Sequence, residues 1–443
     1  MKKMLSLAAM FAALSYASPV FADTDITVYG TLDAAFGDVA HSLSINPQLS
    51  QSVNPVSPQK LSVPGAAVGL FNGGLSDSRI GVKGKSDIGS GLKVFWNLEE
   101  GFNLPTGQVN NGAAALASNA GTATTAYTSG GSLSGQLFSR QANVGLSNGD
   151  WGSLAIGRNT APINDICQVY GPVQNAVLFS PLGFSGTYGG GGGVTEDARV
   201  DNSLKYSNKI GSFNFRALYK LGGTAGEATA RAAYALNAGY EEGNFGIQIA
   251  YQAFTDAISG SLATTSTIPA SLNKVVPSNS VTITAENTSA FMAAVKYKIG
   301  QATLKVGYEQ YILSAPTDAL PSNTTANTAT YNYYGQTVSG LINFKGAPQS
   351  VHVVFGGGDY NFTDKLNVAA GIYDISPQAS AGTTVKSENE IFLSLLADYH
   401  ITKFLDTYAG VMYASFSGSN ASFAPSTYYQ DNVVSAVGLR YTF

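Results

Sequence analysis

The sequence lacks most of what a soluble enzyme or a disulfide-stapled domain depends on. Its 443 residues hold one cysteine, Cys167, so neither an intrachain disulfide nor a cysteine-based metal cluster can form. The three histidines, His41, His352 and His400, are too widely spread to suggest a zinc site or a Ser-His-Asp triad. Charge is scarce, at 12% of residues, and the formal net charge of −4 gives no basis for nucleic-acid binding. Leu, Lys and Glu, the usual helix builders, are few. Beyond residue 22 no apolar run approaches the ~18 residues of a membrane-spanning helix. What the chain has instead is 50 glycines, 24 tyrosines and 22 phenylalanines against two tryptophans. So many aromatics with so little charge exclude a disordered chain.

The first 22 residues read as a leader. Lys2 and Lys3 precede an apolar stretch from Met4 to Leu14, and Val20-Phe21-Ala22 supplies a small-residue end, so cleavage is expected before Asp23. The competing reading, an uncleaved anchor, suffers from the shortness of the apolar stretch. Loss of Lys2 and Lys3 takes the net charge of residues 23–443 to −6. An exported chain without a membrane helix can enter a membrane only through strands.

Strands are what the hydrophobic period gives. In DITVYGTLDAAF (25–36), Ile26, Val28, Leu32, Ala34 and Phe36 fall on one face and Asp25, Thr27, Thr31 and Asp33 on the other. The same alternation predicts strands at 25–36, 78–86, 91–103, 137–147, 151–159, 201–209, 212–221, 231–241, 244–256, 289–299, 301–313, 349–363, 364–376, 389–401, 403–417 and 431–443. Short turns (86–91, 147–150, 208–211, 241–244, 298–301, 361–364, 400–403) alternate with long connections, the largest at 37–77, 104–136, 160–200, 257–288 and 314–348. An even strand number, tight turns at one end and long loops at the other describe an outer-membrane barrel, apolar toward lipid and polar inside. Closure is compulsory, since an open edge would leave backbone groups unpaired in hydrocarbon. The terminal Tyr441 and Phe443 suit the strand that closes on the first. The expected fold is therefore all-β, a 16-stranded antiparallel transmembrane β-barrel, and that many strands enclose an aqueous channel.

The third long connection, 160–200, is expected to fold into the lumen as a constriction. Residues 166–195 carry no charged side chain yet include Val169, Val177, Leu178, Phe179, Leu182 and Phe184, a poor composition for an exposed loop. Parity adds a second reason: Arg140 shares a face with Val144 and Leu146, and Arg158 with Leu154 and Ile156. Aliphatic residues on a lumen face make sense if something covers them.

Taken as a set, ITVYGTLDAAF (26–36), SRIGVKGKSDIGSGLKVFWNLEEGFNLPTG (78–107), LFSRQANVGLSNGDWGSLAIGRNTAP (137–162), RVDNSLKYSNKIGSFNFRALY (199–219) and VGLRYTF (437–443) resemble the trimeric general porins of Gram-negative outer membranes, above all the beta-proteobacterial type. The resemblance implies a homotrimer in outer-membrane lipid that passes small hydrophilic solutes and ions. It also implies delivery by the barrel-assembly machinery, which reads the C-terminal strand ending in Phe443. Residue by residue it places a basic wall at the constriction: Arg79 of SRIGVKG, Arg140 of FSRQ and Arg199 of ARVDNS. Arg158 of the GRN turn, with Asp165 nearby, would tether or line the inward loop. Enteric members carry carboxylates in a PEFGG-like loop segment. Here the matching SPLGFSGTYGG (180–190) has none, and Asp165, Glu196 and Asp197 flank it. Arginines that cannot lose their proton, opposed by little loop charge, favour anions weakly, while the lumen acids Asp33, Glu99, Glu196 and Asp197 tune the balance.

Two rivals remain in view. An enzyme would need a nucleophile with its base. His352, read at lumen parity within SVHVVF, has no such partner, and no G-x-S-x-G elbow exists. GKS at 84–86 has Arg79 where a phosphate loop needs glycine. No cofactor or metal is expected. The second rival is a solute-specific channel, with Tyr170 and Tyr188 lining a path along the inward loop. A regular ladder of aromatic and basic residues would mark it, and none is apparent. Cys167 reads as a small residue packed inside that loop.

Overall fold

The computed structural model describes residues 24–44, 65–109, 137–174, 176–182, 199–223, 229–263, 280–318, 332–333, 336–343, 348–378, 389–417 and 428–443. The expected leader (1–22) and Phe184, Tyr188, Glu196 and Asp197 lie outside these residues.

Sixteen strands make a closed wall: β1 (Thr24–Ser44), β3 (Arg79–Asp87), β4 (Lys93–Asn103), β6 (Gln141–Asn148), β7 (Gly152–Thr160), β8 (Arg199–Ile210), β9 (Phe213–Lys220), β10 (Ala233–Glu242), β11 (Phe245–Ala263), β12 (Ser280–Ile299), β13 (Ala302–Ser314), β16 (Gln349–Asn361), β17 (Leu366–Gln378), β18 (Asn389–His400), β19 (Leu405–Ser417) and β20 (Tyr428–Thr442). Each runs antiparallel to its neighbour in chain order. β1 closes on β20 from Thr31↔Thr442 upward, and the Gly30 and Phe443 backbones exchange hydrogen bonds at 3.0 and 3.1 Å. Every expected strand is present. Four accessory strands lie in the long connections: β2 (Gly65–Asn72), β5 (Gln108–Val109), β14 (Asn332–Tyr333) and β15 (Gln336–Asn343). β2 folds back onto β1 as far as His41, and β20 pairs with it on to Ser44, so β1 is longer than the sequence reads.

The outer face is apolar and open. Ile26, Val28, Ile80, Phe215, Leu304, Val306, Leu393, Leu395, Val437 and Leu439 are all exposed, an arrangement only lipid can cover. Near the short turns the exposed side chains become aromatic: Phe213, Phe245, Tyr297, Tyr360, Phe362, Tyr399, Phe404, Tyr441 and Phe443 ring one rim. Such a girdle sits at a bilayer–water boundary.

The inner face is of two kinds. From β1 to β9 it is polar, with Lys83, Lys85, Asn97, Gln141, Asn143, Ser153, Lys205 and Ser207 bordering one concavity. From β10 to β20 it carries buried apolar residues, among them Ala235, Ala250, Met292, Tyr311, Val353, Phe355, Tyr373, Leu396 and Met412. The largest core of the molecule thus lies inside the barrel, against the segment that follows β7.

Three expectations of parity are corrected. Val144, Leu154 and Ile156 are exposed on the outer face, so they are not lumen aliphatics. Arg140 precedes β6, and Arg158 follows Gly157, whose φ of +126° accompanies a register shift between Gly157 and Asn159. His352 faces outward, its Nδ1 2.7 Å from the Tyr308 hydroxyl, while Val351, Val353 and Phe355 face in.

Candidate functional site

The segment after β7 begins as a helix, α1 (Pro162–Tyr170). Pro162 suits a first helical position, and Asp165 in the first turn complements the helix dipole. One stripe of the helix, Ile163, Ile166, Cys167 and Tyr170, is buried against β9–β13. Cys167 Sγ lies 3.7 Å from Met292 Sδ, which makes the lone thiol a packed core group. Tyr170 donates to Glu241 Oε1 at 2.7 Å, with the Lys296 ammonium 4.8 Å from its ring centre. Burial, and then the hydrogen bond to Glu241, push its phenol pKa up, so it stays a protonated donor. Tyr170 is 1% exposed and lines no open path.

From there the segment continues around the inner wall. Lys305 donates to the Gly171 carbonyl at 3.1 Å, Gln174 to Asn367 at 3.2 Å, and Phe179 meets Tyr408 edge-on at 6.3 Å. Val177 and Leu178 then donate to the carbonyls of Leu75 and Gly74 at 3.4 and 3.1 Å. Glycines give it room. A Cβ on Gly246 would stand 2.7 Å from the Tyr170 hydroxyl, on Gly357 or Gly371 about 3 Å from Pro172, and on Gly410 2.9 Å from the Phe179 ring. Any other residue there would displace the segment.

Across the lumen stands the charged cluster. Arg140 places Nε 2.6 Å from Glu99 Oε1 and NH1 2.9 Å from Asp77 Oδ2. Burial opposes its charge, but these two carboxylates outweigh burial and raise its pKa above the ordinary arginine value. Arg79 lies 3.9 Å from Glu99 and donates to the Asp77 carbonyl at 3.1 Å. The Tyr29 hydroxyl stands 2.8 Å from Glu99 Oε2 and from Asn97 Oδ1. Arg199 approaches Arg140 closely enough to feel its like charge, and its buried Nε has no hydrogen-bond partner among the described residues. The sequence-predicted Arg79, Arg140, Arg199 and Glu99 therefore come together. Asp77 and the Ser139 clamp were missed. Glu100 accepts from Ser139 N at 2.6 Å, and Arg158 donates to Ser139 O at 2.7 Å and pairs with Asp201 at 2.6 Å. These residues sit at strand ends and turns, where period two carries no signal.

Three other predicted positions have different roles. Arg158 grips Ser139 and Asp201, so among the described residues its contacts position Arg140 rather than tether the inward segment. Asp165 does fasten that segment, through Lys205 at 2.9 Å and Arg216 at 3.4 Å. Asp33 is fully buried: its carboxylate accepts from the backbone of Gly74 at 3.0 Å, Leu75 at 3.2 Å and Ser76 at 2.8 Å and from the Tyr408 hydroxyl at 2.5 Å, so it anchors a turn instead of facing solutes. At the short-turn end, ligand atoms of Asp398, His400 and Asp406 lie within 4.8 Å of one another. The Arg440 guanidinium already bridges both carboxylates, at 3.4 and 2.7 Å.

Known proteins resemble this arrangement. Residues 6–419 match the model of the Gram-negative porin family. An outer membrane porin of Bordetella pertussis is 30% identical over 162 residues, which is 36% of this chain and 34% of that protein. Outer membrane porin protein 32 of Delftia acidovorans is 27% identical over 216 residues, 48% of each chain. The chain thus spans between about a third and somewhat over half of the length of the curated relatives it matches. Among solved structures, the anion-selective porin from Comamonas acidovorans superposes with a TM-score of 0.62 at 15% identity, covering 95% of this chain and 100% of that one. OmpT of Vibrio cholerae gives a TM-score of 0.56 at 16% identity over 95% of this chain and 98% of that one. With a match of that extent behind the closed barrel, the chain belongs to the Gram-negative porin family.

Proposed function

We propose that this outer-membrane protein forms a water-filled channel for the passive diffusion of small hydrophilic solutes and ions. The observation that carries this reading is the split inner face: residues 161–182 lie on the apolar arc, while the arc from β1 to β9 stays polar. In this reading the connection 160–200 narrows the path and Arg79, Arg140 and Arg199 form its basic wall. Of these three guanidiniums, Arg79 and Arg140 pair with the two carboxylates of Asp77 and Glu99. The surplus is small, which supports weak anion selectivity rather than strong. The Comamonas acidovorans porin, anion-selective by its own description, supports the same sign. A homotrimer fits the family, in which OmpT of Vibrio cholerae has been solved in a trimer form. Residues 1–22 would serve as the export leader, and the strand ending at Phe443 as the signal to the barrel-assembly machinery.

The test is the reversal potential of the purified protein in a planar bilayer under a salt gradient. Ohmic steps closing in thirds, with a potential that favours anions, are expected. A cation-favouring potential would move selectivity to the carboxylates, and absence of any channel would end the reading.

A further inference from the structure

We infer that the polar arc holds a binding site for a small anionic carbohydrate of the sugar-acid class, built on Lys83, Phe95, Asn97, Gln141 and Asn143. The inference rests on the channel reading above and names a solute that would pause within the path.

Register brings these residues together. Lys83 stands opposite Asn97, which stands opposite Asn143, in one row of inner-face positions across β3, β4 and β6. Lys85 and Phe95 occupy the next row, and Glu99 and Gln141 the row on the other side. Of these, Lys83, Lys85, Phe95, Asn97, Gln141 and Asn143 border a concavity of about 490 Å³. A sugar ring fits such a volume with water to spare.

Two aromatic rings lie flat on the wall there. Tyr29 covers Gly81 and Phe95 covers Gly145, each glycine being the ring's cross-strand neighbour. A ring pressed flat against the wall turns its other face to the lumen, where it can take the apolar C–H face of a pyranose. Lys83 is exposed, with its ammonium 5.0 Å from the Tyr29 ring centre. Among the described residues no carboxylate comes within ion-pair distance of it. Lys85 stands opposite Asp25 across the strands, and among the described residues it too has no carboxylate within ion-pair distance. Two lysines against one aspartate leave the site a net positive charge.

The amides supply the rest. Asn97 Oδ1 accepts from Tyr29 at 2.8 Å, which leaves the Asn97 amino group as a donor. Asn143 Nδ2 is taken by Gln141 Oε1 at 3.5 Å and the Arg158 carbonyl at 3.3 Å, leaving the Gln141 amino group and the Asn143 carbonyl oxygen. A ring face, a net positive charge and a row of alternating donors and acceptors match a ring sugar with one carboxylate. An inorganic anion would leave Phe95 idle, and a neutral sugar would leave Lys83 idle.

Single-channel currents of the full-length protein in potassium chloride test this, with sodium glucuronate, glucose or acetate added to one side. Glucuronate is expected to interrupt the current with a saturable frequency, and glucose and acetate are not. Lys83→Gln and Phe95→Leu should each raise the half-blocking concentration about threefold to tenfold, the scale of one exposed ion pair or stacking contact. Channel steps without sugar report that each variant has assembled. Ohmic current that glucuronate never interrupts would overturn the site while leaving the channel intact. Equal block by glucose, unchanged in Lys83→Gln, would overturn the anionic class. If potassium chloride itself gives no steps, the channel reading fails, and the inference fails with it.

Discussion

The two arcs of the inner wall have the same backbone and opposite chemistry. From β10 to β20, inward Ala, Val, Phe, Tyr and Met side chains are buried with residues 161–174 and 176–182, alongside buried polar groups such as Asn237, Gln248, Lys305 and Glu309. From β1 to β9 they are lysines, amides and serines that border open space. On the first arc the wall behaves as a protein core, where fit governs stability. On the second it behaves as a surface, where charge governs what passes. The difference shows that a barrel's lumen is not one environment, and that substitutions on its two sides must be judged by different rules.

The sharpest way to break the comparison is Phe179→Ala. Phe179 is fully buried between Gly410 and Tyr408. Its truncation should weaken the seating of the inward segment by about 3–5 kcal/mol, seen as a larger and noisier single-channel conductance. Unaltered conductance with unaltered heat resistance on gels would refute a core-like covered arc. Gly410→Leu attacks the same contact from the wall, and overpacking should cost about 1–3 kcal/mol, read as a lower midpoint in thermal melting of the folded barrel. Charge substitutions on the polar arc should act on permeation instead. Arg140→Ala leaves the Asp77 carboxylate without its ion pair and Glu99 with Arg79 alone, and should move the reversal potential toward cations, whereas Glu99→Gln should move it toward anions. Shifts of the same sign in both variants would contradict the cluster's role. The smallest effect is expected at Asn143→Ala, within about 0.5 kcal/mol of stability, because a half-buried amide on an open wall supports little packing. A melting shift as large as that of Gly410→Leu would mean the two arcs are not distinct.

The same contrast explains what could be read in the sequence. Period two located all sixteen staves because turns, closure and a lipid-facing apolar stripe leave their mark locally. The equation of polar with inward held where β1 borders the open concavity: Asp25 and Thr27 are placed correctly. It failed at His352, whose flanking Val351 and Val353 are apolar because the inward segment covers them. With both faces apolar, the one polar residue is a misleading guide. Arg158 was misplaced for another reason. An irregularity between Gly157 and Asn159, across from Ser203 and Val200 with Asn202 at a φ of +50° between them, interrupts the alternation, and glycine alone does not announce a bulge. The inward course of 160–200 was inferred from its own lack of charge, a sound signal, and from Val144 and Ile156, which in fact face lipid. Asp33 looked like a lumen acid by parity. The turn at Gly74–Ser76, 41 to 43 residues along the chain, and the Tyr408 hydroxyl give its carboxylate another occupation.

That buried carboxylate has a consequence in time as well as in space. Asp33 sits on the first stave, and the Tyr408 hydroxyl it accepts from sits on the last but one, 375 positions away. The same carboxylate orders Gly74 and Leu75, whose carbonyls receive the far end of the inward segment. The clasp is complete only when the first and last strands have met. One buried carboxylate thus ties the joining of the wall to the seating of residues 177–178 inside it.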